Sequence, residues 1–165
     1  MSTPAQILQT ERLRFPAMLP AEILVWLAFL DQFGGQYTEY QYNVRLGPGV
    51  DPGPTVGEKY RALGILTTQL RLDALAYQGT QPYIFEVKRR AKPAALGQLT
   101  AYFHAWVADR PLEPAPKLVL VFNTSVAGLE AAARALNIQL VQVNADFSRL
   151  RIASAGQRGG VNPRV

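Results

Sequence analysis

The stretch Lys117-Leu118-Val119-Leu120-Val121-Phe122-Asn123 sets five apolar residues in an unbroken row between two polar ones. A strand with one wet face alternates; an unbroken run suits a strand covered on both faces, so the fold needs a sheet with helices packed against it. The rest of the chain supplies those partners. Pro20 followed by residues 21–30, apolar but for Glu22, reads as a mostly buried helix, with proline near its start and Gly34-Gly35 as its stop. Residues 36–46 alternate aromatic or apolar with polar side chains, which is the period of a half-exposed strand, and Tyr37, Tyr40 and Tyr42 are most simply its packing face. Residues 70–77 and 82–89 are two apolar-rich runs joined by Gln78-Gly79-Thr80-Gln81, a hairpin with glycine at its tip. Pro93 opens a helical pattern through Leu96, Leu99, Tyr102, Phe103, Trp106 and Val107 that ends before Pro111. A short alanine-rich helix at 126–136 then leads to a last strand at 138–143. The expected fold class is α/β, in the order α-β-β-β-α-β-α-β, with a mixed sheet flanked by helices.

With 165 residues and 48% hydrophobic content the chain can bury one sizeable core, and it is short for two domains. The expected division is a folded body over 1–147 and a basic tail over 148–165. Residues 147–165 hold four arginines (Arg149, Arg151, Arg158, Arg164) and no acid, so they account for most of the net charge of +5. The Gly- and Pro-rich segment 47–54 can be neither helix nor central strand, and so long a loop in a small domain is often functional. There is no cysteine, which removes disulfides, thiolate metal sites, iron–sulfur clusters and thiol nucleophiles together. With a single histidine, any bound metal is expected to rely on oxygen ligands. The first residues show no basic segment leading into an apolar run, and residues 23–30 are too few to span a bilayer, so a soluble, cytoplasmic protein is expected.

Chemistry concentrates in the hairpin. Asp73 stands on its first strand, and Glu86 and Lys88 on its second. Residues two apart on a strand share a face, so Glu86 and Lys88 project together while Phe85 and Val87 point the other way. Two carboxylates and an ammonium can therefore converge. Mg²⁺ takes carboxylate oxygens at about 2.0–2.1 Å and keeps several waters, which two acids and open positions would allow. The lysine can orient or deprotonate an attacking water, or offset charge on a phosphate. Charged residues in an apolar central strand are costly unless paired or bound to metal. Arg89, Arg90 and Lys92 follow directly; alone they could form an ordinary solvated turn, but beside such a site they suit phosphate contacts. His104 reads as a surface histidine rather than a ligand.

Asp73, then Glu86-Val87-Lys88, then a helix bearing Gln98-Leu99-Thr100-Ala101-Tyr102 together resemble the PD-(D/E)XK nuclease superfamily, and the Gln-x-x-x-Tyr element its RecB-like branch. Leu72 stands where the name-giving proline would be, and the resemblance covers roughly the middle third of the chain. It implies a restriction-endonuclease-like sheet and a metal-dependent DNA endo- or exonuclease. The implied ligands of Mg²⁺ or Mn²⁺ are Asp73 and Glu86, joined by an acid of the first helix, for which Glu22 is the candidate and Glu39 the runner-up. Lys88 would assist the water, Gln98 would support the site, and Tyr102 would contact nucleic acid or pack beneath it. DNA is the expected partner, with a homo-oligomer as a route to cutting both strands. A second reading keeps the nuclease fold in a structural or assembly role, as in a phage-like particle (hence a virion location) or a DNA-handling complex. A third, a non-catalytic nucleic-acid-binding module, would show salt-sensitive binding without cleavage.

Overall fold

A computed structural model describes residues 11–148 and residue 150. In chain order its elements are α1 (Pro20–Phe33), a 3-10 turn (Gly34–Gln36), β1 (Thr38–Tyr42), β2 (Arg45–Leu46), α2 (Glu58–Thr68), β3 (Leu70–Arg71), β4 (Ala74–Gln78), β5 (Gln81–Ala91), α3 (Pro93–Asp109), β6 (Lys117–Ser125), α4 (Leu129–Ala135) and β7 (Ile138–Gln142). Five strands form one mixed sheet in the order β1-β4-β5-β6-β7. The β1/β4 and β4/β5 pairs are antiparallel, and the β5/β6 and β6/β7 pairs are parallel. The hairpin between β4 and β5 turns at Gly79, whose φ of 58° suits a residue without a Cβ. Parallel strands need long crossovers, and α3 and α4 serve as those crossovers.

Two cores result, one on each face. Ile23, Val25, Trp26 and Phe29 of α1 pack with Phe85, Val87, Val119 and Val121. On the opposite face Leu96, Leu99, Tyr102 and Trp106 of α3 pack with Ile84, Leu118, Leu120 and Phe122. The apolar run on β6 is thereby explained: its alternate residues serve different cores, so no position on it faces water. The aromatic content of the first core is high. Trp26 lies 5.3 Å from the Phe85 ring and 6.1 Å from Tyr40, and Tyr37 lies 5.2 Å from Phe85. The tyrosines of β1 and the residue before it are thus packing residues, as the alternation predicts.

The eight-element order expected from the sequence is present, with an excursion inserted into it. The strand expected over 36–46 breaks at Asn43, which takes a left-handed backbone (φ 59°), and β2 leaves the main sheet. The run expected as one strand over 70–77 is likewise split. β3 pairs with β2, setting Leu46 opposite Leu70 and Arg45 opposite Arg71, and Asp73 sits in the bend between β3 and β4 rather than on a strand. Between β2 and β3 lies α2, which buries none of its residues. It is held to its own loop by the Asp51–Arg61 ion pair, by Val50 N–H donating to Thr68 Oγ1 at 2.6 Å, and by Gly49, where a Cβ would meet the Ile65 carbonyl oxygen at 2.3 Å. The helix expected at 126–136 is shorter, starting at Leu129 after Gly128 (φ 82°). The tail expected at 148–165 lies outside the described residues except for 148 and 150. No helix among the described residues is long and apolar enough to cross a membrane.

Phe85 is fully buried where α1 meets the sheet, whereas Leu112 is 99% exposed. Phe85→Ala is therefore expected to destabilise the protein by about 3–5 kcal/mol in urea unfolding, and Leu112→Ala to stay within about 0.5 kcal/mol of the parent.

Candidate active site

The β4/β5 register pairs Ala74 with Phe85, so Asp73, one residue earlier, arrives opposite Glu86. Asp73 is fixed there because its Oδ2 accepts the backbone N–H of Val87 at 2.8 Å. Both carboxylates are buried: Glu86 is 1% exposed and Asp73 6%. Lys88 emerges two residues later, with Nζ 2.5 Å from Glu86 Oε1 and 3.4 Å from Glu22 Oε1. Glu22 is in the third position of α1, where its Oε2 accepts the Leu19 N–H at 2.8 Å and closes the start of that helix. The second oxygen of Glu86, Oε2, is buried without a hydrogen-bond partner.

Electrostatics follow from this crowding. Burial, then the charge of Glu86, pushes the Asp73 carboxyl up to about 8. Burial also raises Glu86, against the pull of Lys88 and of the Tyr102 hydroxyl. For Lys88 burial works against the charge, but Glu86, Asp73 and Glu22 outweigh it and hold its pKa above the ordinary lysine value. Burial, then the charges of Glu86 and Asp73, raise Tyr102 strongly, with Gln98 pulling the other way.

Of the residues singled out in the sequence, Asp73, Glu86, Lys88, Glu22 and Tyr102 come together. Tyr102 is buried on α3 and donates its hydroxyl to the Arg71 carbonyl at 3.1 Å, tying down the segment that leads to Asp73. Gln98, one turn earlier, is exposed, and its side chain is near enough to lower the Tyr102 pKa. Glu39 is not part of the group; it is exposed on β1, close to Tyr77 at the other end of β4. Arg89, Arg90 and Lys92 are all exposed, with Arg90 on the face of Lys88 by strand alternation. Arg89 turns to the opposite face, where its guanidinium lies 4.8 Å from the Phe147 ring. His104 is exposed on α3. Arg71, not singled out in the sequence, lies two residues before Asp73 and opposite Arg45 of β2.

With Asp73 protonated the group holds two carboxylates against one ammonium; a bound cation that displaced that proton would meet three carboxylates, and one Glu86 oxygen is buried without a hydrogen-bond partner. That donor set is hard and oxygen-only, and fits a divalent cation such as Mg²⁺ or Mn²⁺ better than a softer metal. Among the described residues no three or more His, Cys, Asp or Glu side chains are grouped so as to hold a metal ion together. Water or substrate oxygens would have to complete the coordination, which is the habit of Mg²⁺.

No family model and no curated protein matches this sequence. Similar solved structures include a repair endonuclease from Pyrococcus abyssi, 15% identical over 46% of this chain and 34% of that one, with a TM-score of 0.41. Another is the EndoMS–dsDNA2 complex, 14% identical over 79% of this chain and 47% of that one, with a TM-score of 0.49. A crystallised protein of unknown function is 14% identical over 73% and 56% of the two chains, with a TM-score of 0.45. The chain thus spans from a third to little more than half of the length of these proteins.

Folded Asp73 holds its proton more tightly than an unfolded aspartate does. Its contribution to the stability of the metal-free protein is present below about pH 3.8 and is lost as the pH climbs through about 8. The expected result in calorimetry is a metal-free Tm that falls across this window more steeply for the parent than for Asp73→Asn. Mg²⁺ is expected to raise the parent's Tm more at pH 8 than at pH 5, because at pH 5 it must displace a proton.

Proposed function

We propose that this chain is a metal-dependent DNA hydrolase of the PD-(D/E)XK kind, cutting phosphodiester bonds as an endo- or exonuclease. The observation that carries the reading is the buried, unpartnered Oε2 of Glu86, set opposite a second buried carboxylate and beside a charged lysine on the central strand. A buried acid with a free oxygen costs stability, and functional sites are where such costs persist. Asp73 and Glu86 would hold Mg²⁺ or Mn²⁺, with Glu22 as the acid of the first helix. When bound, such an ion supplies Lewis-acid polarisation of a phosphoryl oxygen and lowers the pKa of a water.

The chain's own groups divide the remaining work. Lys88 stays protonated among three carboxylates, so it donates to a water or a phosphate oxygen and offsets developing negative charge; proton abstraction does not suit it. The Val87 N–H holds Asp73 in place, and Tyr102 pins the strand before it. Gln98 steadies the Tyr102 hydroxyl. Arg90 and Lys92, with Arg89 from the other face, offer exposed positive charge to a nucleic-acid backbone just beyond the carboxylates. No long helix among the described residues protrudes to read a groove, so cutting selective for DNA structure is the expected mode.

A second reading, the nuclease fold in an assembly role without catalysis, is favoured by one observation. Tyr60, Leu63 and Leu66 stand exposed three residues apart along α2, an apolar stripe of the kind that meets another surface.

Labelled single-stranded, duplex and branched DNA, incubated with the protein in Mg²⁺ or Mn²⁺, tests the first reading. The parent is expected to cut at least one of them, with Glu86→Ala and Lys88→Ala slower by at least about 10²-fold. Cleavage that persists in both variants would count against the site. No cleavage under any condition, together with a large homo-oligomer by light scattering, would leave the assembly reading in front.

A further inference from the structure

β2 and β3 set Arg45 directly opposite Arg71 in an antiparallel pair. Opposed residues share a face, so both guanidinium groups leave one side of this small sheet while Leu46 and Leu70 join the α3 core on the other. Like charges so placed repel one another. Among the described residues neither arginine forms an ion pair. Arg45 Nη1 donates instead to the Leu66 carbonyl near the end of α2, at 2.8 Å, and Arg71 Nε is buried with no acceptor. An unsatisfied buried donor beside an uncompensated like charge is a place made for an anion.

The position of the pair suggests which anion. Arg71 is two residues before Asp73, at most about 7 Å along an extended chain. Its carbonyl takes the Tyr102 hydroxyl, so the segment joining the two is held from both ends. We propose that Arg45 and Arg71 form a phosphate-binding site that grips the nucleic-acid backbone at a phosphate close to the bond held at Asp73 and Glu86. The choice of nucleic acid and the closeness to that bond rest on the hydrolase reading; the anion site itself rests on the arginine pair. Such a grip fixes the register of the strand without reading its bases. Arg71's planar fork suits two phosphate oxygens at once, which a lysine could not match.

Binding of labelled duplex and single-stranded DNA, followed by anisotropy over a range of salt with a chelator present, separates this site from the chemistry. The full chain would be compared with Arg71→Ala, Arg71→Lys and, as a remote control, Arg134→Ala on α4. Arg71→Ala is expected to bind about tenfold more weakly whatever the DNA sequence. On duplex DNA the slope of log affinity against log salt should shrink in magnitude by about 0.9. Arg71→Lys should keep the slope and lose only part of the affinity, and Arg134→Ala should match the parent. Circular dichroism checks folding, and if Arg71→Ala does not fold, Arg71→Lys decides: affinity equal to the parent overturns the site. A folded Arg71→Ala with the parent's affinity and slope also overturns it. If inorganic phosphate raises the Tm of the parent but not of Arg71→Ala while DNA affinity is unchanged, the site takes a free anion and its assignment to nucleic acid falls. A parent that binds DNA with the expected Arg71 dependence yet never cuts would sink the hydrolase and leave this site standing.

Discussion

A strand hydrogen-bonded along both edges and covered on both faces has no wet direction in which to aim a charge, and β5 is such a strand until Lys88. Glu86 therefore enters the protein interior with no water to solvate it. What compensates it comes from the chain: the ammonium of Lys88 on one oxygen and the nearby Tyr102 hydroxyl, while Oε2 has no partner within hydrogen-bond geometry. The bend before β4 then brings Asp73 alongside, where repulsion and burial both favour a proton on it. Holding such charges out of water without a cation costs stability. Removing one member of such a group is a different matter, because it strands its partner.

The two cores decide how this group is held. α1 lies on one face and supplies Glu22, whose two oxygens link the start of the helix to Lys88. α3 lies on the other and supplies Tyr102, whose ring is in its core while its hydroxyl reaches the chain before Asp73. Each polar contact thus stems from a residue whose backbone is fixed by apolar packing, which is how a small domain keeps flexible acids within a fraction of an ångström.

Much of this was legible in the sequence. The unbroken run on β6, the alternation before β4 and the paired prolines at helix starts gave the order of the main elements, because each reflects burial that a pattern of side chains must satisfy. Glu86 and Lys88 stood out for the same reason, as charges in an apolar strand. α2 was not read from the sequence: it buries none of its residues, its apolar stripe is confined to Tyr60, Leu63 and Leu66, and the glycines and prolines of 47–54 mask its approach. The breaks at Asn43 and Leu72 were hidden too, since a left-handed residue or a bend inside an alternating run leaves the composition unchanged. The mutual placement of Asp73, Glu86, Lys88 and Glu22 depends on register and on the entry of α1, neither of which a spacing in sequence specifies. Arg71 escaped notice because its meaning comes from the partner strand.

Residues 47–69 leave and rejoin the fold at adjoining points, since Leu46 and Leu70 are paired. Closing a flexible loop grows more costly only slowly with length, by about 0.6 kcal/mol per doubling. The excursion can be lengthened, shortened or exchanged while the five-stranded sheet keeps its pairing. Descendants of this chain are therefore free to diverge most in the stretch that lies nearest the arginine pair, and a scaffold with a conserved chemical centre can acquire new substrates by rewriting a peninsula rather than its mainland.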